Sequence, residues 1–359
     1  MRRKPLKIED LGHVLEGEDY EVLSSNRTMR KILNVKNANC YLRKNGNYYM
    51  MFLDDGTKVR FARDDYMEPE MPECIDMTIT TECNGGCDFC YLNCTPDGKH
   101  ADFNWDLLKQ IPEYTEVAIN VNDMSHPKLD EFLMFMKAQH VFVNVTINEK
   151  HLTRKDSLFG TCSKTDNFDR LVKYKQLDLI KGIGISVDSK ISYSSFANII
   201  KLGFMFPKSV VVHVIDGIIN PETWNILVCN QVDVLVLGYK TIGRGVLYNE
   251  CFGAQIEENI NYLKEWIHSC LVDGNNSMLG TLAFDGLALD HLGIKEMLDE
   301  ETFNEMYAGD EGAYTFYYDA VNDKYAVSSI TDEYRDRNNK SIKEMFDDIR
   351  VPGLGVKER

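Results

Sequence analysis

The sequence has no apolar run approaching the roughly 18 residues that cross a bilayer, and no basic start followed by an apolar segment that would mark a signal peptide. Positive charge is also scarce. Of 359 residues, 40 are Lys or Arg and 56 are Asp or Glu, a net charge of −16. The Met1-Arg2-Arg3-Lys4 start is the only basic run. Such a surface repels nucleic-acid backbones and anionic membranes and disfavours both as partners. No repeat of solenoid length, low-complexity tract, G-x-S-x-G, Walker loop or H-E-x-x-H motif occurs, so those chemistries drop out. What remains is a globular chain whose 44% hydrophobic content can fill a substantial core, with a cytoplasmic location expected.

Cysteine is the residue present in excess. Four of the ten cysteines fall within "CNGGCDFCYLNC", residues 83 to 94. In a reducing compartment a cluster of this kind points to metal binding or redox chemistry before disulfides. Cys40, Cys74, Cys162, Cys229, Cys251 and Cys270 are scattered and read as ordinary small residues, buried or half-buried.

Three regions are expected. Residues 1–72 read as β-rich: Asn45-Gly46 and Asp55-Gly56 separate short aromatic and β-branched runs, a meander of about three strands. "DDYMEPEMPE" then reads as a linker. Residues 73–272 alternate strand-length apolar runs with helix-period segments: "IDMTIT", "EVAINV", "VFVNVTI", "GIGISVD", "VVVHVI" and "VDVLVLG" are each followed by a helical stretch. Leu129, Phe132, Leu133 and Met136 share one helical face, with Ser125 as the expected cap and Pro127 in the first turn. Six strand and helix pairs predict an α/β fold, a partial (β/α)6 TIM-like barrel, whose continuously apolar strands suggest a parallel sheet covered on both faces. A doubly wound open sheet has the same alternation. Residues 273–359 form an α+β extension packed on the barrel, with a hairpin turning at Asn322-Asp323.

Cys83, Cys87 and Cys90 form C-x3-C-x2-C. Structural zinc sites close with two separated ligand pairs, and bacterial ferredoxin runs use C-x2-C-x2-C. A zinc- or Fe-S-stabilised binding or electron-transfer module without cofactor cleavage is the alternative. The spacing, directly after the first strand of a β/α repeat and with Phe89 before the third cysteine, resembles the radical S-adenosylmethionine superfamily over roughly residues 73–240. "PECIDMTIT", "TPDGKHADF", "SHPKLDEFL", "LVLGYKTIGRG" and "YAGDEGAYTFYYD" are similar to a narrower, uncharacterised set from phage and bacterial genomes. The resemblance implies a [4Fe-4S] cluster on Cys83, Cys87 and Cys90, with S-adenosylmethionine on the open iron. It implies an enzyme that cleaves this cofactor to a 5′-deoxyadenosyl radical acting on a peptide or small-molecule substrate, with an electron donor such as flavodoxin or ferredoxin. Gly85 and Gly86 suit a tight loop around a cube. Cys94 is read as a bystander thiol, since a fourth ligand would block the cofactor.

Ligands of parallel β/α barrels gather at the C-terminal strand ends. Where the superfamily carries Gly-Gly-Glu this chain has Asn120, Val121 and Asn122, followed by Asp123. Phe89, Asn120 and Asn122 are assigned to the cofactor, and so are Asn148 and Ser186, at positions that in similar proteins meet the ribose and the methionine carboxylate. Asp188 reads equally as a helix cap, and His213 as a core histidine. Lys240 and Arg244, in "LGYKTIGRG" with Tyr239, are the expected contacts for an anionic substrate. No cysteine array for a second cluster follows.

Overall fold

The computed structural model describes residues 6–7, 39–53, 58–62, 64, 66–152, 167–273, 279–307, 309, 311–331 and 333–351. The expected Asp55-Gly56 turn, Cys162 and the Cys40 side chain lie outside the described residues.

Strands β1 (Leu6–Lys7), β2 (Asn39–Asn45), β3 (Tyr48–Leu53) and β4 (Lys58–Ala62) form an antiparallel sheet in sequential order. Its Asn45-Gly46 turn is as the sequence predicts. Gly46 has φ +66°, and a Cβ there would lie 1.9 Å from the Glu68 carbonyl oxygen. The segment expected to be a linker is bonded to this sheet. Asn45 accepts from the backbone N–H groups of Glu70 and Met71 and donates to the Met71 carbonyl at 2.8 Å. Glu73, fully buried, then takes Arg60 Nε at 2.7 Å, Lys58 and the Tyr48 hydroxyl. Around it, Tyr41 and Phe52 stack edge-on against Phe142 of the larger sheet. A carboxylate buried among two cations and a phenol is anchored because losing any partner strands a charge away from water.

The larger sheet begins with β5 (Cys74–Thr78), β6 (Glu116–Asn122), β7 (Phe142–Asn148), β8 (Gly182–Ser186), β9 (Val210–Ile215) and β10 (Val234–Leu237). All six are parallel and follow chain order, without reversal. Right-handed crossovers in sequential order put every connecting helix on the same face, so the doubly wound alternative, which needs a switch in strand order, does not apply. The connections carry α1 (Trp105–Leu108), α2 (Leu129–Ala138), α3 (Asn167–Gln176), α4 (Tyr193–Met205) and α5 (Pro221–Cys229), and α6 (Arg244–Leu271) follows β10.

Two features depart from the expectation. The sheet is not covered on both faces. β6, β7, β9 and β10 alternate buried and half-buried residues: Val117, Ile119, Val143, Val145, Val212 and Val236 pack under helices. The other face carries Asn120, Thr146, Asn148, Ser186 and His213 and is half-open. Nor does the chain stop at six strands. After α7 (Gly286–Leu292), α8 (Ile294–Met297) and α9 (Glu300–Met306) come β12 (Thr315–Asp319), β13 (Lys324–Ala326) and β14 (Arg335–Asp336), with β11 (Leu282–Phe284) before them and α10 (Ile342–Ile349) last. β11 adds parallel to β10, and β12 adds parallel to β5. The predicted hairpin is β12–β13. The ten strands run β11-β10-β9-β8-β7-β6-β5-β12-β13-β14, an open mixed sheet and not a closed barrel.

Ser125 does not cap α2. Its N-cap is Lys128, without a side-chain cap bond, and Pro127 precedes it. Ser125 N–H instead donates to Asp123, an Asx turn that competes with helix initiation. Asp188 does not cap α4 either, where Ser192 accepts from Ser195 N–H. Cys229 and Cys251 are exposed, contrary to expectation, while Cys74 and Cys270 are half-buried.

Candidate functional site

The cysteine loop leaves the C-terminal end of β5 and is pinned at its base. Thr81 N–H donates to Lys99 O at 2.8 Å, Cys83 N–H to Thr95 O at 2.9 Å and Thr95 N–H to Thr81 O at 3.1 Å. Gly98 is required where the strands of the loop meet, because a Cβ would stand 2.1 Å from Thr81 O. Between these pins Cys83, Cys87 and Cys90 are each half-buried. Gly85 faces two of the sulfurs. A Cβ on it would lie 3.3 Å from Cys83 Sγ and 3.8 Å from Cys87 Sγ, and its N–H donates to Cys83 Sγ at 3.3 Å.

The three thiols differ in acidity. Cys90 is lowered, chiefly by its interaction with the Cys94 thiol, burial opposing it and the backbone N–H of Cys94, Arg244 and the backbone N–H of Leu92 adding to the effect. Cys94 is driven up by the same interaction and by burial. Burial also lifts Cys83 and pushes Cys87 up to about 12, the latter with help from Asp188. Among the described residues no three His, Cys, Asp or Glu side chains stand together at metal-ligand geometry. The loop nevertheless fits a cluster bound through three thiolates: three half-buried sulfurs share one loop, a glycine faces two of them, and Gly86 takes the left-handed φ of +62° that lets the chain curl. Their ionisation is what metal binding itself drives.

The assigned strand-end residues line up on the open face. Asn120 accepts from Ile79 N–H at 3.0 Å and donates to Thr80 O at 2.7 Å. Asn122, at φ +47°, donates to Glu82 O at 2.8 Å and lies 3.7 Å from Cys94 Sγ. Both amides therefore fasten the root of the cysteine loop to β6. Asn148 pairs in register with Ser186, and Ser186 with His213. His213 lies over Gly184, where a Cβ would fall 2.3 Å from its ring, and burial holds it neutral, at about 4. Phe89 packs edge-on against Tyr248 of α6 at 5.7 Å between centroids.

The loop after β10 meets the cysteine loop. Gly243, at φ +56°, approaches so closely that a Cβ would lie 2.4 Å from Tyr91 O. Arg244 Nη1 donates to Cys94 O at 2.9 Å, and its Nε to Cys87 O. The Lys240 ammonium sits 4.0 Å from the Tyr91 ring centroid and donates to Ser329 Oγ at 2.8 Å. The Tyr239 hydroxyl is spent on Gly245 O at 2.6 Å.

Sequence reasoning missed four neighbours. His151, buried after β7, places Nε2 3.6 Å from Cys83 Sγ. Lys150 pairs with Asp188. Asp216, fully buried at the end of β9, holds His291 Nδ1 at 2.9 Å. The first three follow strand ends and could have been found by reading each such loop; His291 comes from α7, which no motif announces. A shallow depression of about 430 Å³ along α6, lined by Glu257, Glu258 and Glu265, holds none of these residues.

No known family profile matches the sequence, and no curated protein matches it. The fold is similar to that of Streptococcus suis SuiB bound to S-adenosylmethionine, with a TM-score of 0.53 and 12% identity over 85% of this chain and 86% of that one. Two further SuiB crystal structures give TM-scores of 0.47: one without a named ligand (12% identity, 80% and 81% covered) and one bound to the precursor peptide SuiA (14%, 78% and 65%). The chain thus shares the fold of SuiB.

Proposed function

We propose that this chain is a radical S-adenosylmethionine enzyme on a partial (β/α)6 barrel. The observation that carries the reading is the loop of Cys83, Cys87 and Cys90 at the C-terminal end of the first of six sequential parallel strands, beside a half-open polar face. Likeness in fold to SuiB with bound S-adenosylmethionine supports it.

Cys83, Cys87 and Cys90 would hold a [4Fe-4S] cluster, which supplies one electron to cleave S-adenosylmethionine reductively and so provides the radical that takes hydrogen from substrate. The chain's own part is placement. Asn120 and Asn122 fix the root of the loop to β6, Arg244 braces its far side, and Phe89 packs it on α6. Asn148 and Ser186, in one row on the open face, offer hydrogen bonds to the cofactor's hydroxyls and carboxylate. The substrate is a peptide or small molecule, and a flavodoxin or ferredoxin would reduce the cluster in the cytoplasm. Among the described residues no helix is long and apolar enough to cross a membrane.

Anaerobic reconstitution with iron and sulfide, followed by measurement of 5′-deoxyadenosine after reduction with dithionite, tests the reading. Iron-loaded, reducible protein that forms none overturns it.

A further inference from the structure

A second cavity, of about 280 Å³, opens between the β10–α6 loop, α6 and α7. Its make-up is unusual for this chain. With 56 acids in 359 residues, a wall of this size would ordinarily include a carboxylate, yet among the described residues none lines it. Two basic groups do, Lys240 and His291, and the rest of the wall joins the aliphatic Ile242, Ile256, Ile260, Leu287 and Ile330 to the uncharged Tyr239, Thr241 and Asn249.

Each cation is backed by acids that stay behind the wall. Asp216 holds His291 Nδ1 at 2.9 Å, and its other oxygen accepts from Gly217 N–H at 2.7 Å and Tyr239 N–H at 2.8 Å, so the carboxylate cannot swing away. That bond raises the imidazole above its ordinary value, burial opposing it and Asp285 and Asp290 assisting. His291 has no second hydrogen bond among the described residues, which leaves Nε2 to meet a ligand, as a donor when the ring is protonated. Burial lowers the Lys240 ammonium, with Asp285, Asp76 and Glu311 partly restoring it. Lys240 also covers the Tyr91 ring, the residue after Cys90, so the cavity adjoins the cysteine loop.

We propose that this cavity is a substrate subsite that takes a carboxylate carried on an aliphatic body, the carboxylate lying between His291 and Lys240 and the body against the isoleucines and Leu287. The subsite deepens the reading of a radical enzyme by assigning a substrate class, and it rests on that reading only for its place in catalysis. Arg244 belongs to the loop brace, so His291, positioned by Asp216, takes the second cationic place. The volume equals roughly nine waters at ~30 Å³ each, enough for one aliphatic amino-acid-sized group. Such a carboxylate occurs at a peptide C-terminus or on a free acid.

Calorimetric titration of the full-length, anaerobically reconstituted protein tests this with 4-methylpentanoate, glycyl-leucine, the amides of both, and 3-methylbutylamine. At least one carboxylate binds, and amides and amine bind roughly tenfold or more weaker. Binding of the free acid alone or of the dipeptide alone supports the subsite and names the source. His291→Gln and Lys240→Met each weaken carboxylate binding on the order of ten- to a hundredfold, the value of a charge-assisted contact. Ile330→Trp narrows the aliphatic end and weakens binding with both cations kept. Amide or amine binding as tight as the carboxylates', no carboxylate binding, or carboxylate binding unchanged in His291→Gln and Ile330→Trp overturns the proposal. If a variant fails to fold by circular dichroism, the comparison of carboxylate with amide on the unaltered chain decides. 5′-Deoxyadenosine, measured in parallel, reports separately on the radical reading: its absence with carboxylate binding intact removes the enzyme reading and leaves the subsite standing.

Discussion

Arg244 lies 157 positions beyond Cys87, yet its Nε donates to the Cys87 carbonyl oxygen at 3.0 Å. With the second bond, to Cys94 O, one guanidinium spans both ends of the stretch that contains Cys90. A planar fork suits two carbonyls, and a lysine cannot copy it.

Arg244→Ala therefore removes two charge-assisted bonds, each worth roughly 1.5 to 3 kcal/mol. Reconstituted Arg244→Ala is expected to retain less iron, and substrate-free and substrate-stimulated cleavage of S-adenosylmethionine should fall together. Arg244→Lys should recover only part of the loss. Iron content unchanged in the alanine variant would show that the brace is dispensable.

The thiols divide into a triad and a neighbour. Wild-type protein should bind about four irons and turn brown, while Cys83→Ala, Cys87→Ala and Cys90→Ala lose both properties. Cys94 is buried behind the loop, and the Asn122 amide donates to its sulfur at 3.7 Å. Cys94→Ser should keep the cluster and cofactor cleavage, since Cys94 stands outside the C-x3-C-x2-C triad and a hydroxyl still accepts from Asn122. Iron analysis and visible absorbance decide; a Cys94→Ser protein without cluster would make Cys94 a ligand.

Asp76 faces the open side of β5 and is solvent-accessible there, though ringed by protein. Burial raises its carboxyl to about 6, Glu311 and Asp285 adding to the shift and Lys240 opposing it. The folded chain thus holds this proton more tightly than the unfolded one. Its contribution to stability is full below about pH 4, the unfolded carboxyl's range, and is lost as pH rises through about 6. Asp76→Asn should raise the melting temperature at pH 7 relative to wild type and leave the pH 4 value close to it. An equal shift at both pH values would mean that Asp76 does not titrate in this way.

Glu73 joins the two sheets. Its carboxyl lies below the ordinary range because Arg60 and Lys58 outweigh the cost of burial. Glu73→Ala takes the buried carboxylate away from Arg60 and the Tyr48 hydroxyl, while Lys58 keeps Glu116 at 2.6 Å, a loss of roughly 3 to 5 kcal/mol. Urea denaturation should show it as a lower midpoint, and a midpoint within experimental scatter of wild type would dismiss Glu73 as the anchor.

Much of the parallel sheet was legible in the sequence because its signals are local. "VVVHVI" coincides with β9, and the face of Leu129, Phe132, Leu133 and Met136 is buried as its 3.6-residue period requires. The cysteine spacing, too, sits within one loop, and a loop's chemistry is set by neighbours in sequence.

Periodicity cannot say which strands pair at the edges, so β11 and β12 joining the six-strand sheet went unread, as did the polar residues that leave one face half-open. Strand order is a long-range choice, made where apolar faces find cover. Asn120 and Asn122 show the same limit: their amides meet carbonyls some forty residues back, across a strand pair. The Asp216–His291 contact joins the end of β9 to α7, and only tertiary packing brings those groups into one wall. The sequence by itself therefore determined the repeating β/α units and the three thiols, whose signals are short-range, while the tertiary structure decided what braces them and which cations reach the same cavity, because those contacts form only after the helices have closed over one face of the sheet.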